Sequence, residues 1–227
     1  MLVVVYSFLL KKNEEIIQEQ IFIQGRLVHI KYKNIVSGET INLFSLYGKS
    51  GVNKTYAEFV AKKINNEIDN GLENIVIVGD LNFVTSVLDR NSNSLNQIDL
   101  VYKPFWLDLE IKHSLLNAFR TLYPKRRLYS FSQTGGNAKS HIDRIYLSSN
   151  IVGRVQKVYF DNLRESDHKL LILKFGKHFE TGRSFLIFNN LLLKNQTLNE
   201  KITDIIHSYK TWNIFPSKKI TWEFLKM

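Results

Sequence analysis

Between Asn74 and Val78 the chain reads NIVIV and then stops at Gly79-Asp80. Four successive β-branched apolar residues are too short a run for a helix and lack the alternation of a strand with one wet face. They predict a strand buried on both faces, as at the centre of a sheet covered on each side. The abrupt glycine and carboxylate place Asp80 at the carboxyl end of that strand, where a rigid sheet feeds a surface loop and functional side chains are commonly presented.

The surroundings supply the neighbours such a strand requires. From Glu14 to Tyr47 apolar residues alternate in EIIQEQIFI, RLVHIKY and INLFSLY, with Gly25 and Ser37-Gly38 between them, which is strand–turn–strand patterning. In the segment that follows, Tyr56, Phe59, Val60, Ile64 and Ile68 fall three and four apart and Gly71 stands where a helix would end. Ile98 to Arg120 is richer in Leu and helix formers, and HSLLNAFRTLY reads as a helix ending near Pro124. LYSFS, a Gly135-Gly136-Asn137 turn, HIDRIYLS, GRVQKVYF and KLLILKF then return to strands. Strand clusters separated by helices predict a mixed α/β architecture of two packed sheets with helices outside. After Phe175 the texture changes to a polar, basic stretch followed by FLIFNNLLL and the helical pattern LNEKITDIIHSYK, so a boundary is expected near residue 176.

Composition narrows the chemistry. With no cysteine, disulfide frameworks, thiolate metal sites and Cys nucleophiles are excluded. Thirty-one Lys and Arg against 21 Asp and Glu give a formal charge of +10, an excess that suits a polyanion such as nucleic acid. MLVVVYSFLL at the start falls short of the roughly 20 apolar residues that span a bilayer. It is expected to be a buried strand rather than an anchor or signal peptide, and no membrane partner is expected.

Three short motifs follow in order: GDLN at Gly79 to Asn82, SHIDRIYLS at Ser140 to Ser148 and SDH at Ser166 to His168. Each lies at a strand end, and together they offer Asp80, Asn82, Asp143, Asp167 and His168 as one cluster. Attack of water on a phosphodiester needs a base, a cation and groups that neutralise charge on the phosphorus oxygens. Asp80 could accept the water proton, and Asn82 could donate its amide to a phosphate oxygen or orient the water. Asp167 is a hard oxygen ligand suited to Mg²⁺, and His168 could bond the phosphoryl oxygen while Asp143 orients it. Plainer readings stand beside these. Asp80 and Asn82 could be turn formers, Asp143 could pair with Arg144 or a neighbouring strand, Asp167 could be an ordinary loop residue and His168 a structural imidazole.

VIVGDLN, SHIDRIYLS and SDHKLLIL, in that order, resemble the motifs of the endonuclease/exonuclease/phosphatase superfamily. Within it, GDLNFVTSVLDR, LLNAFRTLYPKRRLYSFS and SHIDRIYLS most resemble the endonuclease domain of LINE-type (non-LTR) retrotransposon proteins. FNNLLLKNQTLNEKI and WEFLK resemble the segment that precedes the reverse transcriptase in those polyproteins. The resemblance implies a four-layered α/β sandwich of two packed mixed β-sheets flanked by helices, missing its first strands. It spans residues 1–175 as the nuclease domain, with a helical linker over 176–227. It implies a metal-dependent hydrolase, with Mg²⁺ or Mn²⁺ as cofactor, DNA as partner and an intracellular, nuclear location. A reverse transcriptase domain is expected in full-length relatives but not in this chain.

Carried onto these positions, the resemblance implies that Asp80 accepts the proton, Asn82 orients the phosphate and Asp167 with His168 forms the metal-side and phosphate-side pair, with Asp143 orienting His168. Tyr47 would contact the scissile phosphate, although Gly48-Lys49 replaces the family's usual small-residue-proline pair, and His141 stands where relatives often have Arg. The strands that carry an Asn and the metal-binding Glu in relatives have no counterpart in residues 1–227, so reduced activity is expected and Glu14, Glu15 and Glu19 are not assigned that role. Arg120, Lys125, Arg126, Arg127, Ser140 and Arg144 are the expected nucleic-acid contacts, with a solvated basic loop as the plain alternative for the 120–127 stretch. The alternative for the chain as a whole is a catalytically inactive nucleic-acid-binding relic of the same fold. Sphingomyelinase-like or inositol-phosphatase-like substrates are disfavoured by the +10 charge and the lack of an acyl-binding apolar hairpin.

Overall fold

The computed structural model describes residues 14–35, 37–162 and 166–176. The expected strand at residues 1–10 and the whole segment expected beyond 176 lie outside these. Three antiparallel strands, β1 (Glu14–Ile23), β2 (Leu27–Asn34) and β3 (Thr40–Tyr47), lead into helix α1 (Lys54–Asp69) and then the predicted central strand β4 (Ile75–Asp80). A turn of 3₁₀ helix at Val87–Asp89 precedes helix α2 (Gln97–Lys112). The chain continues through β5 (Leu115–Asn117), α3 (Ala118–Leu122), β6 (Phe131–Ser132), β7 (Lys139–Ser140) and β8 (Asp143–Ser148). It ends in α4 (Ser149–Val152), β9 (Val155–Asn162) and β10 (Lys169–Phe175).

Six strands form one mixed sheet in the order β1-β2-β3-β4-β8-β5, in which β3 and β4 run parallel and the other pairs antiparallel. The β-branched run of β4 is explained by its two cores. Ile75 and Ile77 face α1 and α2, where Tyr56, Val60, Ile64, Tyr102, Trp106 and Leu109 pack over them. Val76 and Val78 face the other way, against Val155 and Val158 of β9, Leu171 of β10, Phe119 of α3 and Ile151 of α4. Every residue of β4 is buried, and each such large side chain removed from water contributes about 1.5–3 kcal/mol. The layers are therefore helix, six-stranded sheet and the antiparallel β9–β10 pair, a mixed α/β arrangement with two packed sheets.

One stretch differs from the sequence reading. His113 to Tyr123 is expected to be one helix, but its first half is edge strand β5, which pairs with β8, and only Ala118–Leu122 is helical. Ser114 has a φ of +50°, which breaks the chain between α2 and β5, and the Asn117 side chain caps α3 by accepting from the Arg120 N–H. The longer helix here is α2, which runs through Pro104 at an exposed position. There the missing N–H leaves the Leu100 carbonyl to water rather than to the core. Its start is secured by a capping box between Asn96 and Asp99.

The parallel join of β3 and β4 depends on Gly79. Its φ is +154°, and a Cβ there would lie 1.7 Å from the Leu46 carbonyl oxygen across the ladder. Gly79→Ala is therefore expected to destabilise the protein by about 3 kcal/mol or more, read as a fall in the urea midpoint. An unchanged midpoint would show that β3 can yield at Leu46 without loss.

Candidate active site

The ladder registers bring three strand ends to one level. Tyr47 at the end of β3 is paired with Asp80 at the end of β4, and Asp80 with Asp143 at the start of β8. Adjacent strands lie about 4.8 Å apart, so the two aspartates are brought face to face although 63 residues separate them. Both are 3% exposed.

The loops are tied down by short local bonds. The backbone N–H of Asn82 donates to Asp80 Oδ1 at 2.9 Å, with Asn82 at a φ of +59°, a conformation that asparagine tolerates well. The turn-forming reading of Asp80 and Asn82 is thus realised together with their placement at the cluster. Asn82 Nδ2 donates to the Gly48 carbonyl at 2.9 Å, which joins the loop after β4 to the loop after β3. Gly48 must approach closely for this: a Cβ there would fall 2.1 Å from the Leu81 carbonyl oxygen. Ser130 Oγ accepts from the N–H groups of Ile142 and Asp143, fixing the entry into β8.

The SDH segment reaches the site by a third route. The His168 N–H donates to Ser166 Oγ at 3.1 Å, and Phe131 and His168 form a bridge. Ser132 N–H donates to the Asp167 carbonyl, and Lys169 N–H to that of Ser130. His168 Nδ1 then lies 2.9 Å from Asp143 Oδ2, its Nε2 lies 4.0 Å from Asp80 Oδ2, and its ring sits 5.0 Å from that of Phe131. Asp80, Asp143 and His168 each offer one ligand atom within 4.8 Å of the others.

This geometry concentrates negative charge. Burial, and then the neighbouring Asp143, pushes the Asp80 carboxyl up to about 6, with Asp167 adding to the rise and the Asn82 N–H and His168 opposing it. Burial acts to lower His168, but the hydrogen bond to Asp143 and the charges of Asp143, Asp80 and Asp167 outweigh it and hold the imidazole above its usual range. Asp167 itself is exposed and is not one of the three clustered ligands, although its charge is felt at both Asp80 and His168. Two facing carboxylates and an imidazole, with a third carboxylate nearby, form a hard donor set that a divalent cation would neutralise.

The expected nucleic-acid residues divide into two groups. Lys125, Arg126 and Arg127 are exposed on the loop after α3, with Arg126 stacked on Tyr123 at 5.3 Å. Arg144 does not belong with them, which corrects its assignment as a contact. It is 2% exposed, and it donates to Asp89 Oδ2 at 2.8 Å, the Tyr146 hydroxyl, Thr85 Oγ1 and the His141 carbonyl. Arg120 also turns inward, to Asp89 and to the carbonyls of Tyr123, Pro124 and Arg126, so it braces the basic loop rather than presenting charge from it. Ser140 is buried and lines a groove of about 460 Å³ together with Asn82, Arg90, Phe131 and His168.

His141 packs edge-on against Phe119 and Phe160 and is held down to about 3 by burial and then by Arg144, so it is a neutral core residue. Sequence reasoning did not single out Ser130 or Phe131. Their only signal was membership of a short alternating run, and their roles depend on which strand lies beside it.

The sign of the Asp80 shift gives a stability prediction for the metal-free protein. A carboxyl raised from 3.8 to about 6 on folding opposes the folded state increasingly as pH rises through that interval, and the full effect is present above it. A shift of about two units corresponds to about 3 kcal/mol. In EDTA, Asp80→Asn is therefore expected to be more stable than the parent at pH 7.5 by up to about that amount, with the advantage shrinking towards pH 4. Urea titrations at the two pH values check this; a pH-independent difference would show that Asp80 is not strained by its charge.

No protein-family profile matches the chain. In sequence it is 25% identical over 211 residues to the Transposon TX1 uncharacterized 149 kDa protein of Xenopus laevis, which covers 91% of this chain and 15% of that protein. Among solved structures it is similar to the 3′ phosphatase NExo from Neisseria bound to product DNA hairpin, with a TM-score of 0.56, 16% identity and coverage of 66% of this chain and 65% of the other. It is also similar to an AP endonuclease from Archaeoglobus fulgidus, at 0.52 and 18%, covering 67% and 65%. The endonuclease domain of TRAS1, a telomere-specific non-LTR retrotransposon, gives 0.52 and 14%, covering 70% and 68%. The chain thus spans about two thirds of these structures and about a seventh of the transposon protein. Its fold is that of the endonuclease/exonuclease/phosphatase nucleases, among them a non-LTR retrotransposon endonuclease domain.

Proposed function

We propose that this chain is a metal-dependent phosphodiester hydrolase of endonuclease type that acts on DNA and derives from a retrotransposon. The observation that carries the reading is the convergence of Asp80, Asp143 and His168 within 4.8 Å at the ends of paired strands. The likeness to nuclease structures and to a transposon protein supports the choice of DNA.

In this reading Asp80 accepts a proton from the attacking water, whose oxygen bonds to phosphorus as the bond to the leaving ester oxygen breaks. Asn82 keeps one amide hydrogen on Gly48 and has the other for a phosphoryl oxygen. His168, held through Nδ1 by Asp143, directs Nε2 towards the phosphoryl group and stabilises its charge. Tyr47, one strand over from Asp80 and 38% exposed, places its phenol at the same phosphate. Asp167 would hold Mg²⁺ or Mn²⁺, which when bound neutralises charge on the reacting phosphate. Exposed Lys125, Arg126 and Arg127 would contact the flanking backbone. We also read residues 1–175 as the nuclease domain and 176–227 as a connecting segment of the kind that precedes a reverse transcriptase, with a nuclear site of action following from the DNA substrate.

Supercoiled-plasmid nicking tests the assignment. The expected result is nicking in Mg²⁺ that EDTA abolishes and that Asp80→Ala or His168→Ala each lowers by about 10²–10⁴-fold. Nicking that survives both substitutions would overturn the site. Salt-sensitive DNA binding with no nicking in any divalent metal would favour a binding relic instead.

A further inference from the structure

We infer that Tyr102 of α2 is a positioning residue for the groove beside the active site: its buried hydroxyl holds the loop after β3 in place, and the affinity of the groove for nucleic acid depends on that bond. The choice of ligand rests on the DNA-acting reading above, whereas the positioning does not.

The loop is tied at both ends and sparsely between them. The Gly48 N–H donates to the Asp80 carbonyl at 2.7 Å, and the Gly48 carbonyl accepts from Asn82 Nδ2. At the far end Asn53 caps α1 by accepting from the Tyr56 N–H at 2.8 Å. Between these ends Ser50, Gly51 and Val52 line the same groove as Asn82, Arg90, Ser140 and His168, and Val52 is 55% exposed. Among the described residues, the single hydrogen bond from these three to the body of the protein runs from the Tyr102 hydroxyl to the Gly51 carbonyl, at 3.2 Å and across 51 residues of sequence.

The donor is fixed more firmly than the loop it holds. Tyr102 is 4% exposed, and its ring packs at 5.2 Å on Phe83 and 6.4 Å on Tyr56. Burial pushes the phenol above its usual range, with Arg26 opposing, so it stays a neutral donor at physiological pH. Asp99 stands three residues earlier, hence on the same side of α2. It accepts from the Val84 N–H and twice from Arg90, which also lines the groove. Helix α2 therefore braces two separate stretches of one groove, the loop after β4 through Asp99 and the loop after β3 through Tyr102. Tyr102 is itself too buried to touch a macromolecular substrate, so any effect on binding passes through the loop.

The plainer role is a core aromatic whose hydroxyl takes the nearest carbonyl with no consequence for the groove. Tyr102→Phe separates the two, because it removes one oxygen and keeps the ring packing. Two measurements are made on the full chain in EDTA. The first is the rate of limited trypsin cleavage after Lys49, which is half-buried in this loop, with cleavage in the exposed Lys125–Arg127 stretch as internal standard. The second is affinity for a labelled duplex oligonucleotide by fluorescence anisotropy, for the parent, Tyr102→Phe, Val52→Ala and the double variant. One hydrogen bond of this kind corresponds to about a fivefold change. Tyr102→Phe is expected to speed cleavage after Lys49 by about that factor, because cleavage follows the population of the opened loop, and to weaken duplex binding by a similar factor. Val52→Ala is expected to weaken binding too, and the double variant to bind no more weakly than the worse single variant, since both act through one loop. Unchanged cleavage after Lys49 in Tyr102→Phe, unchanged affinity where the parent binds, or losses that multiply in the double variant would each overturn the inference. A parent that binds no duplex, with cleavage after Lys49 still faster in Tyr102→Phe, would sink the DNA-acting reading and leave the positioning standing.

Discussion

The pairing of β4 with β3 on one side and β8 on the other is the constraint on which the rest of the site depends. It brings Asp80 and Asp143 together across an antiparallel ladder and Tyr47 beside them across a parallel one. Because register has a period of two, a slip of one residue would turn either carboxylate to the opposite face. The slip is resisted by two packed cores, since β4 has apolar partners above and below. Gly79 lets β3 approach closely enough for the level of the three residues to be shared. Hydrophobic burial thus holds two acids in contact that would separate in an open chain, and the raised Asp80 carboxyl reflects that constraint.

A second buried network governs the positive charges. Asp89, 2% exposed, accepts from both Arg144 and Arg120. Removing one member of such a buried set leaves an uncompensated charge, which is far costlier than losing a surface pair. The network joins the loop after β4 to β8 and α3, so it secures the frame around the site and the base of the basic loop. The charge excess is therefore uneven in meaning. Some arginines hold the frame, whereas Lys125, Arg126 and Arg127 are exposed to solvent.

Much of the architecture is legible in the sequence for physical reasons. Strands β1 to β4 and helix α1 match because period-two and three-to-four spacings report the environment of each side chain directly. The candidate cluster is legible in part, since GDLN, SHIDR and SDH each mark a strand end. The His113 to Tyr123 stretch is not, because LLN satisfies helical and strand patterns alike and only pairing with β8 decides between them. Arg144 is misread for a related reason. An arginine in an alternating strand looks solvent-facing unless its buried acceptor is known, and Asp89 lies 55 residues away in sequence.

The sequence by itself determined the central strand, the helix that covers it, the cationic balance and the three polar motifs, because these follow from the chemistry of neighbouring residues along the chain. Tertiary structure decided which of the polar residues meet. Asp80, Asp143 and His168 converge through ladder register and through Ser130 and β6, whose backbone bonds tether the SDH loop. It also decided which cations are drawn into buried ion pairs, turning Arg120 and Arg144 inward to Asp89. The reason is that charge pairing and strand register are set by distance in space, and a one-dimensional pattern carries no measure of that distance.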